Sequence, residues 1–577
     1  MSVPSPPRIT DAAARAAASS VSDTVEYFFA QYPNAARRAG RHDLDGHMPR
    51  ACLRSAADLE RLRAAAAQHL RSLAPGADPE LRADLDAAVR MAEGESFRVT
   101  ELGQVYLSPV EVLAEADLFP YLRPYAPLAE RLEALDTHLS RLPGFLAEAG
   151  STLPARLPAG ERLRGVEQAQ AQAINIRTVA AQLISADDSC AAASRMAAAT
   201  AACASCADFA RTVAAAKPVS GLLGPERLAE LLRVTEGIED SPAELLEQAS
   251  AEVERLQSAL DSAAARLGAG NRREACELMA KQVSQEPATE FLAPLIQRLR
   301  EFWIDAGVVS LDTAVPLEVR PAVGIGAAST VEFSFSPPLE QAGQPHVLFL
   351  PEAPANGDGR PAPARHLYLN DPMLEIIAVH EVFAGHYVHA EATARGPSII
   401  RACFPWISGF VEGWAHYCEE LAVEQGLAAG RPLIEVAQLK SALESAVRLV
   451  SFLSVHLTQS TFVQASAYAA QVCGWSGERA AREVLAVAFD SFGAMYTLAK
   501  LRIRHWREAA GAATGPELTS FHDRLLRCGN APLATIWRYY LDGRDSRSLA
   551  DAGVDPLAAG LTTRQSGPIG PATTEAT

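Results

Sequence analysis

Along most of this 577-residue chain, apolar residues recur at intervals of three and four, the spacing that places them on one face of an α-helix. Residues 56–73, 127–149, 242–267 and 288–306 each read as amphipathic helices, and Pro/Gly-rich stretches such as 153–160 and 351–364 punctuate them as loops. One segment, 322–351, departs from the pattern. There Thr330-Val331-Glu332-Phe333-Ser334-Phe335 alternates in twos, and Val347-Leu348-Phe349-Leu350 is a short apolar run, so two strands are expected. The chain should therefore be mainly α with one small sheet, and helix should resume from Pro372 to about Leu541.

A chain 49% hydrophobic and 21% charged has the balance of a globular protein, and its length suggests roughly three or four domains. No Gly/Ser or charge-only linker separates them, so subdomains of one body are expected. These are a flexible N-terminus over 1–24, a helical subdomain over 25–320, a catalytic subdomain over 321–545, and a tail over 546–577 that is disordered at its end. The formal charge of −17, with no basic run interleaved with aromatics, argues against nucleic acid as a partner. The first 24 residues lack an apolar core, and no stretch approaches the roughly 20 apolar residues that span a bilayer. A cytoplasmic protein with no membrane partner is expected. Nine cysteines are scattered along the chain, and Cys203 with Cys206 forms a lone CxxC, read as buried thiols because no second pair or neighbouring His accompanies it.

The chemistry concentrates in Val379-His380-Glu381-Val382-Phe383-Ala384-Gly385-His386 and, downstream, Phe410-Val411-Glu412-Gly413-Trp414-Ala415-His416-Tyr417-Cys418-Glu419. A hydrolytic zinc site needs three nitrogen or oxygen ligands, an open position for water, and a carboxylate to take a proton from that water. His380, His386 and Glu412 are candidate ligands for one Zn2+ per chain, with Glu381 as base. The six-residue offset between the histidines differs from the four-residue offset that puts two imidazoles on one helix face. On a straight helix, six residues at about 100° each would turn His386 roughly 240° away from His380. The helix must therefore break or bulge near Ala384-Gly385, where glycine admits unusual backbone. His416, one turn after Glu412, is a candidate partner of the ligands.

These residues resemble the bacterial DUF885 family, whose hallmarks are His-Glu-x-x-Pro-Gly-His and Glu-Gly-Trp-Ala-x-Tyr-x-Glu. The second hallmark is matched by Glu412-Gly413-Trp414-Ala415-His416-Tyr417-Cys418-Glu419, and the resemblance runs from about Glu26 to Leu541. It includes Gln172-Ala173-Ile174-Asn175-Ile176-Arg177, Phe521-His522-Asp523 and Gly529-Asn530-Ala531-Pro532-Leu533. Members look like distant relatives of the gluzincin metallopeptidases. That implies a large multi-helix metallopeptidase-like body with the small sheet bordering an active-site cleft. It also assigns zinc to His380, His386 and Glu412, and water activation to Glu381. By the same analogy His456 and Tyr496 are candidate catalytic residues that polarise the carbonyl or stabilise an oxyanion. Arg448, Lys500, Arg502 and Arg507 are weaker candidates for holding a substrate carboxylate, unless they are merely solvated helix charges.

Four departures from the family pattern stand out. Ala384 replaces Pro, Tyr387 replaces a second consecutive His, Phe452-Leu453-Ser454 replaces Asp-Thr-Gly, and Leu485-Ala486 replaces Arg-Tyr. The ligands are kept while their surroundings differ, which implies a divergent substrate. The expected activity is zinc-dependent hydrolysis of an amide or peptide bond in a small-molecule or short peptide-like substrate, in a specialised biosynthetic pathway. The alternatives are Lewis-acid chemistry without hydrolysis and, as a third reading, a binding protein with a vestigial metal site.

Overall fold

The computed structural model describes residues 12–50, 55–74, 77–185, 191–284, 286–321, 331–340, 344–351, 369–404, 409–489 and 491–541. The protein is mainly helical, 72% helix against 4% strand, so its sheets are small inserts in a helical body. Helices lie at Ala56–Ser72, Leu128–Thr152, Pro242–Arg266 and Ala288–Ala306, within three residues of where the periodicity puts them. Their starts have local causes. Ser55 accepts a hydrogen bond from Asp58 N, and Ser241 and Glu244 close a capping box ahead of Pro242, whose missing N–H costs nothing in a first turn.

The N-terminal stretch expected to be flexible to residue 24 is instead helical from Ala12 to Gln31. Ala17, Val21, Val25, Phe28 and Phe29 form a buried stripe at helical spacing, and that apolar contact outweighs the polar residues between them. The 153–160 stretch, expected as a loop, carries a strand. Here β1 (Arg156–Pro158) pairs in parallel with β2 (Lys217–Val219), and three-residue strands containing proline leave no alternating signal.

The second sheet comprises β3 (Leu317–Pro321), β4 (Glu332–Ser334) and β5 (His346–Leu350) in the order β3-β5-β4. The central β5 is buried along its whole length, runs parallel to β3 and antiparallel to β4, with Leu348 opposite Val319 and Phe333. Thr330, the loop at 352–364 and the tail at 546–577 lie outside the described residues.

One hydrophobic core holds the helices from Leu228 to Ile536 together with Phe333, Leu348 and Leu350 of the sheet. A second gathers residues between Leu107 and Val213, and a third joins Val25, Phe29 and Leu85 to Ile400 and Phe404. Arg401, almost fully buried, fastens that third core through Glu80 at 2.6 Å and Asp84 at 2.7 Å. Cys203 and Cys206 are free thiols, and burial pushes Cys206 up to about 12. Among the described residues no single helix is long and apolar enough to cross a membrane.

Candidate metal centre

The helix Asp371–Glu381 starts at Asn370, whose side chain accepts from Met373 N at 3.1 Å, and ends directly after His380 and Glu381. Val382 (φ −118°, ψ −92°) has left the helix, and a new one, His386–Arg395, begins after Gly385. The break thus covers four residues. Gly385 is needed there for space: a Cβ on it would lie 1.7 Å from the His380 carbonyl oxygen, so no side chain fits. Its own N–H donates to Val379 O at 3.1 Å. Two carbonyls inside the break are taken by buried tryptophans, Trp303 Nε1 donating to Phe383 O at 2.7 Å and Trp414 Nε1 to Ala384 O at 3.0 Å. Tyr387 donates its hydroxyl to Val315 O at 2.6 Å, tying the second helix to the approach to β3.

This break turns His386 back toward His380, and the two rings meet edge to face at 4.8 Å. From the helix Phe410–Glu424, Glu412 places Oε2 3.3 Å from His380 Nε2 and 3.4 Å from His386 Nε2. The three candidate ligand atoms lie within 4.8 Å of one another. Donors about 2.0–2.1 Å from a tetrahedral zinc ion stand roughly 3.3 Å apart, so both contacts have the length that such an ion requires. Glu412 Oε2 is buried without a hydrogen-bond partner, an orphan that a cation would satisfy. Burial works against the charge on Glu412, yet the two histidines hold its carboxyl well below the usual range. For Glu381, burial holds the carboxyl above its usual range against the pull of His386 and His380. Two imidazoles, an ionised carboxylate and a second carboxyl beside them fit zinc or a similar divalent ion.

Glu419, two turns beyond Glu412, accepts from His380 Nδ1 at 2.8 Å and from His416 Nδ1 at 3.2 Å through the same oxygen. Sequence reasoning quoted it only as part of a motif. The seven-residue spacing from Glu412, which returns to the same helix face, is the signal that would have found it. Tyr496 stacks its ring on His380 at 5.9 Å and 12°, with Glu412 close by. Burial and the nearby Glu412 push that phenol well above its usual range, so it stays protonated as a donor. His416 lies against Tyr496 edge-on at 6.2 Å, and its Nε2 is buried without a partner.

Other candidates are not brought to the cluster. His456 spends both ring nitrogens on backbone, accepting from Leu223 N at 3.1 Å and bonding Ala488 O at 2.8 Å, as a satisfied core histidine does. Arg502 is buried against Asp240 at 2.6 Å, and Arg448 pairs with Glu483 at 2.8 Å and lies over Trp475. Lys500 is fully buried between Glu252 and Glu420, and Arg507 holds Glu424 and Tyr417. Each of these four cations faces an acid, Lys500 and Arg502 buried and Arg448 and Arg507 partly exposed, pairings that charge spacing in the sequence did not reveal.

Comparison with known proteins agrees in coverage. A family model described as "Bacterial protein of unknown function (DUF885)" matches residues 33–538. No curated protein matches the chain. A "putative lipoprotein of unknown function" from Shewanella oneidensis shares the fold at a TM-score of 0.70 and 18% identity, over 90% of this chain and 98% of its own. A "putative lipoprotein" from Colwellia psychrerythraea superposes with a TM-score of 0.69 at 17% identity, over 93% of this chain and 99% of its own.

Proposed function

The chain belongs to the DUF885 family of bacterial proteins of unknown function, and from the geometry of its own residues we propose that it is a zinc-dependent hydrolase of an amide or peptide bond in a small substrate. The observation that carries this reading is the convergence of His380 Nε2 and His386 Nε2 on one oxygen of Glu412, at 3.3 and 3.4 Å, with Glu381 next in sequence to His380. Bound there, zinc would supply Lewis acidity to a water molecule and to the substrate carbonyl. Glu381 takes a proton from the attacking water as its oxygen bonds to the carbonyl carbon, then returns that proton to the nitrogen as the C–N bond breaks. Tyr496, held beside Glu412, offers its hydroxyl proton to the oxygen that becomes negative. Trp303 and Trp414 keep the two histidine helices in register while this happens.

The sheet edge open to an extended substrate is not that of the run Val347-Leu348-Phe349-Leu350. This run lies in β5, hydrogen-bonded on both sides, and in this sheet only β3 and β4 present an outer edge. Phe333 of β4 and Phe335 just beyond it flank His386 at 6.3 and 6.2 Å, so the β4 edge is the one next to the candidate centre. The cytoplasmic location expected from the N-terminus stands beside the lipoprotein names of the two structural neighbours, which at 17–18% identity carry the fold alone. Fractionation of cells expressing the full chain decides it.

The test of the activity uses the zinc-loaded protein, a library of dipeptides and N-acyl amino acids, and oxygen-18 water. Hydrolysis places one solvent oxygen in the product carboxylate. Glu381→Gln should lower turnover by about 10³-fold or more while retaining one zinc per chain, since general base and metal act together. Full turnover by that variant would overturn the proposed role of Glu381, and products free of solvent oxygen would overturn hydrolysis.

A further inference from the structure

We propose that a cavity of about 210 Å3 beside His386 is the pocket that selects one group of the substrate, and that this group is neutral and aromatic or branched aliphatic. This rests on the hydrolase reading for its use but not for its existence. The cavity lies between the helix Pro33–Ala39, the residues of and just after β4, and the helix His386–Arg395. Ala390 and Ala394, four and eight residues after His386, continue its face of the helix into the cavity wall. Phe333 and Phe335 line the cavity, and their rings stand 6.3 and 6.2 Å from the His386 ring. Two of the cavity's lining residues thus also flank a candidate metal ligand.

Size and chemistry narrow the occupant. Pockets that enclose whole drug-sized ligands run from about 300 to 1,000 Å3, so a smaller one takes a single side-chain-sized group. Its room comes from methyl side chains at Ala35, Ala39, Ala390, Ala394 and Ala402 facing two phenyl rings. The two guanidiniums at its wall are spoken for: Arg38 holds Asp117 at 2.8 Å, and Arg123 lies 3.4 Å from Glu340. A carboxylate entering here would meet guanidiniums that already face an acid, an ammonium would meet their positive charge, and either would shed hydration at a cost. Ser334, Ser336 and Asn530 add polar groups to the wall, and one side-chain oxygen there is both buried and unbonded. Thr393 Oγ1 is buried without a hydrogen-bond partner, and such an orphan is costly unless an occupant meets it. A ring or branched chain carrying one amide or hydroxyl near its end satisfies both the apolar walls and this oxygen.

The test is ligand-observed NMR on the zinc-loaded full chain with phenylacetamide, acetamide and phenethylammonium. Phenylacetamide should bind at least about tenfold more tightly than either comparator, as burial of a phenyl ring and exclusion of charge require. Ala394→Phe, at an exposed position on the cavity wall, should weaken that binding about tenfold or more with zinc content unchanged. Thr393→Val should weaken it about three- to tenfold through loss of one hydrogen bond. Equal affinity for the three probes, or wild-type affinity in Ala394→Phe, would overturn the pocket. If the binding pattern appears and no amide is ever hydrolysed, the pocket stands and the hydrolase reading fails. If amides are hydrolysed with no preference between phenylalanyl and alanyl substrates, the pocket fails and the hydrolase reading stands.

Discussion

Glu419 can only accept, so the His380 Nδ1 at 2.8 Å must carry the proton, and in the neutral ring that leaves the Nε2 lone pair facing Glu412. A carboxylate behind a metal-binding histidine in this way fixes tautomer and ring angle together. Replacing Glu419→Gln keeps the shape but removes the charge and lets the side chain turn a donor toward His380. Zinc affinity, measured by competition with a chelating dye, should fall by about 10–100-fold with the fold retained. Unchanged affinity would show that Glu412 alone orients the ring. The grouping of His380, His386 and Glu412 was legible because the chemistry of a candidate site is written in residue types, a Glu after the first His and a Gly at the required break. The fates of His456, Arg448 and Arg502 were not, since whether a polar side chain meets a substrate or a neighbour depends on what another segment brings to it. For His456 that neighbour is the backbone of Leu223 and Ala488, 233 and 32 residues away in sequence.

Between elements, the crossing of Phe410–Glu424 over Phe492–Ala509 decides whether Tyr496 reaches Glu412. Gly413, next to the candidate ligand, sits at that crossing, where a Cβ would come within 2.2 Å of Ala499 Cβ. Two helices this close need a hydrogen in place of a methyl. Gly413→Ala should destabilise the protein by about 1–3 kcal/mol, the usual cost of overpacking, and weaken zinc binding as Glu412 is displaced. Ala499→Gly in the same chain should restore much of both, and a double-mutant cycle measures the coupling. Additive effects would mean that the crossing does not set the distance. Element types were readable wherever the period was long, as in Pro242–Arg266 and Ala288–Ala306. Leu317–Pro321 escaped because it is short: Leu317 and Val319 alternate with exposed Glu318 and Arg320 for too few residues to stand out, and it is pairing to β5 that reveals the strand. Late motif residues that a family signature singles out turn out to brace the frame. His522 takes the Tyr417 hydroxyl at 2.9 Å and Val308 O at 2.6 Å, and Gly529 O receives His389 Nε2 at 3.2 Å, next to the His386 helix.

Across the whole chain, contacts between distant segments rest on buried acids as well as on the three hydrophobic cores, and no linear pattern announces them. Glu236, at the end of the helix Pro225–Glu236, accepts from Gly409 N, just before the Glu412 helix, and from Leu533 N at 3.0 Å, so one carboxyl joins three stretches separated by 173 and 297 residues. Burial pushes it up to about 7, although the two backbone donors and Arg90 pull the other way. The native state therefore holds a proton that the unfolded chain, with a carboxyl near 4.5, releases earlier. The stability this gives is fully present below about pH 4.5, declines between there and 7, and is gone above 7. At about 1.36 kcal/mol for each unit, the change across that window is roughly 3 kcal/mol. Glu236→Gln keeps the volume and cannot titrate, so the midpoint of wild type should fall by a few degrees relative to the variant between pH 4.5 and 7.5, other groups cancelling in the difference. Denaturation followed by calorimetry on both proteins across that range measures it. Parallel curves would mean that Glu236 is ionised throughout, its two amide donors having outweighed burial.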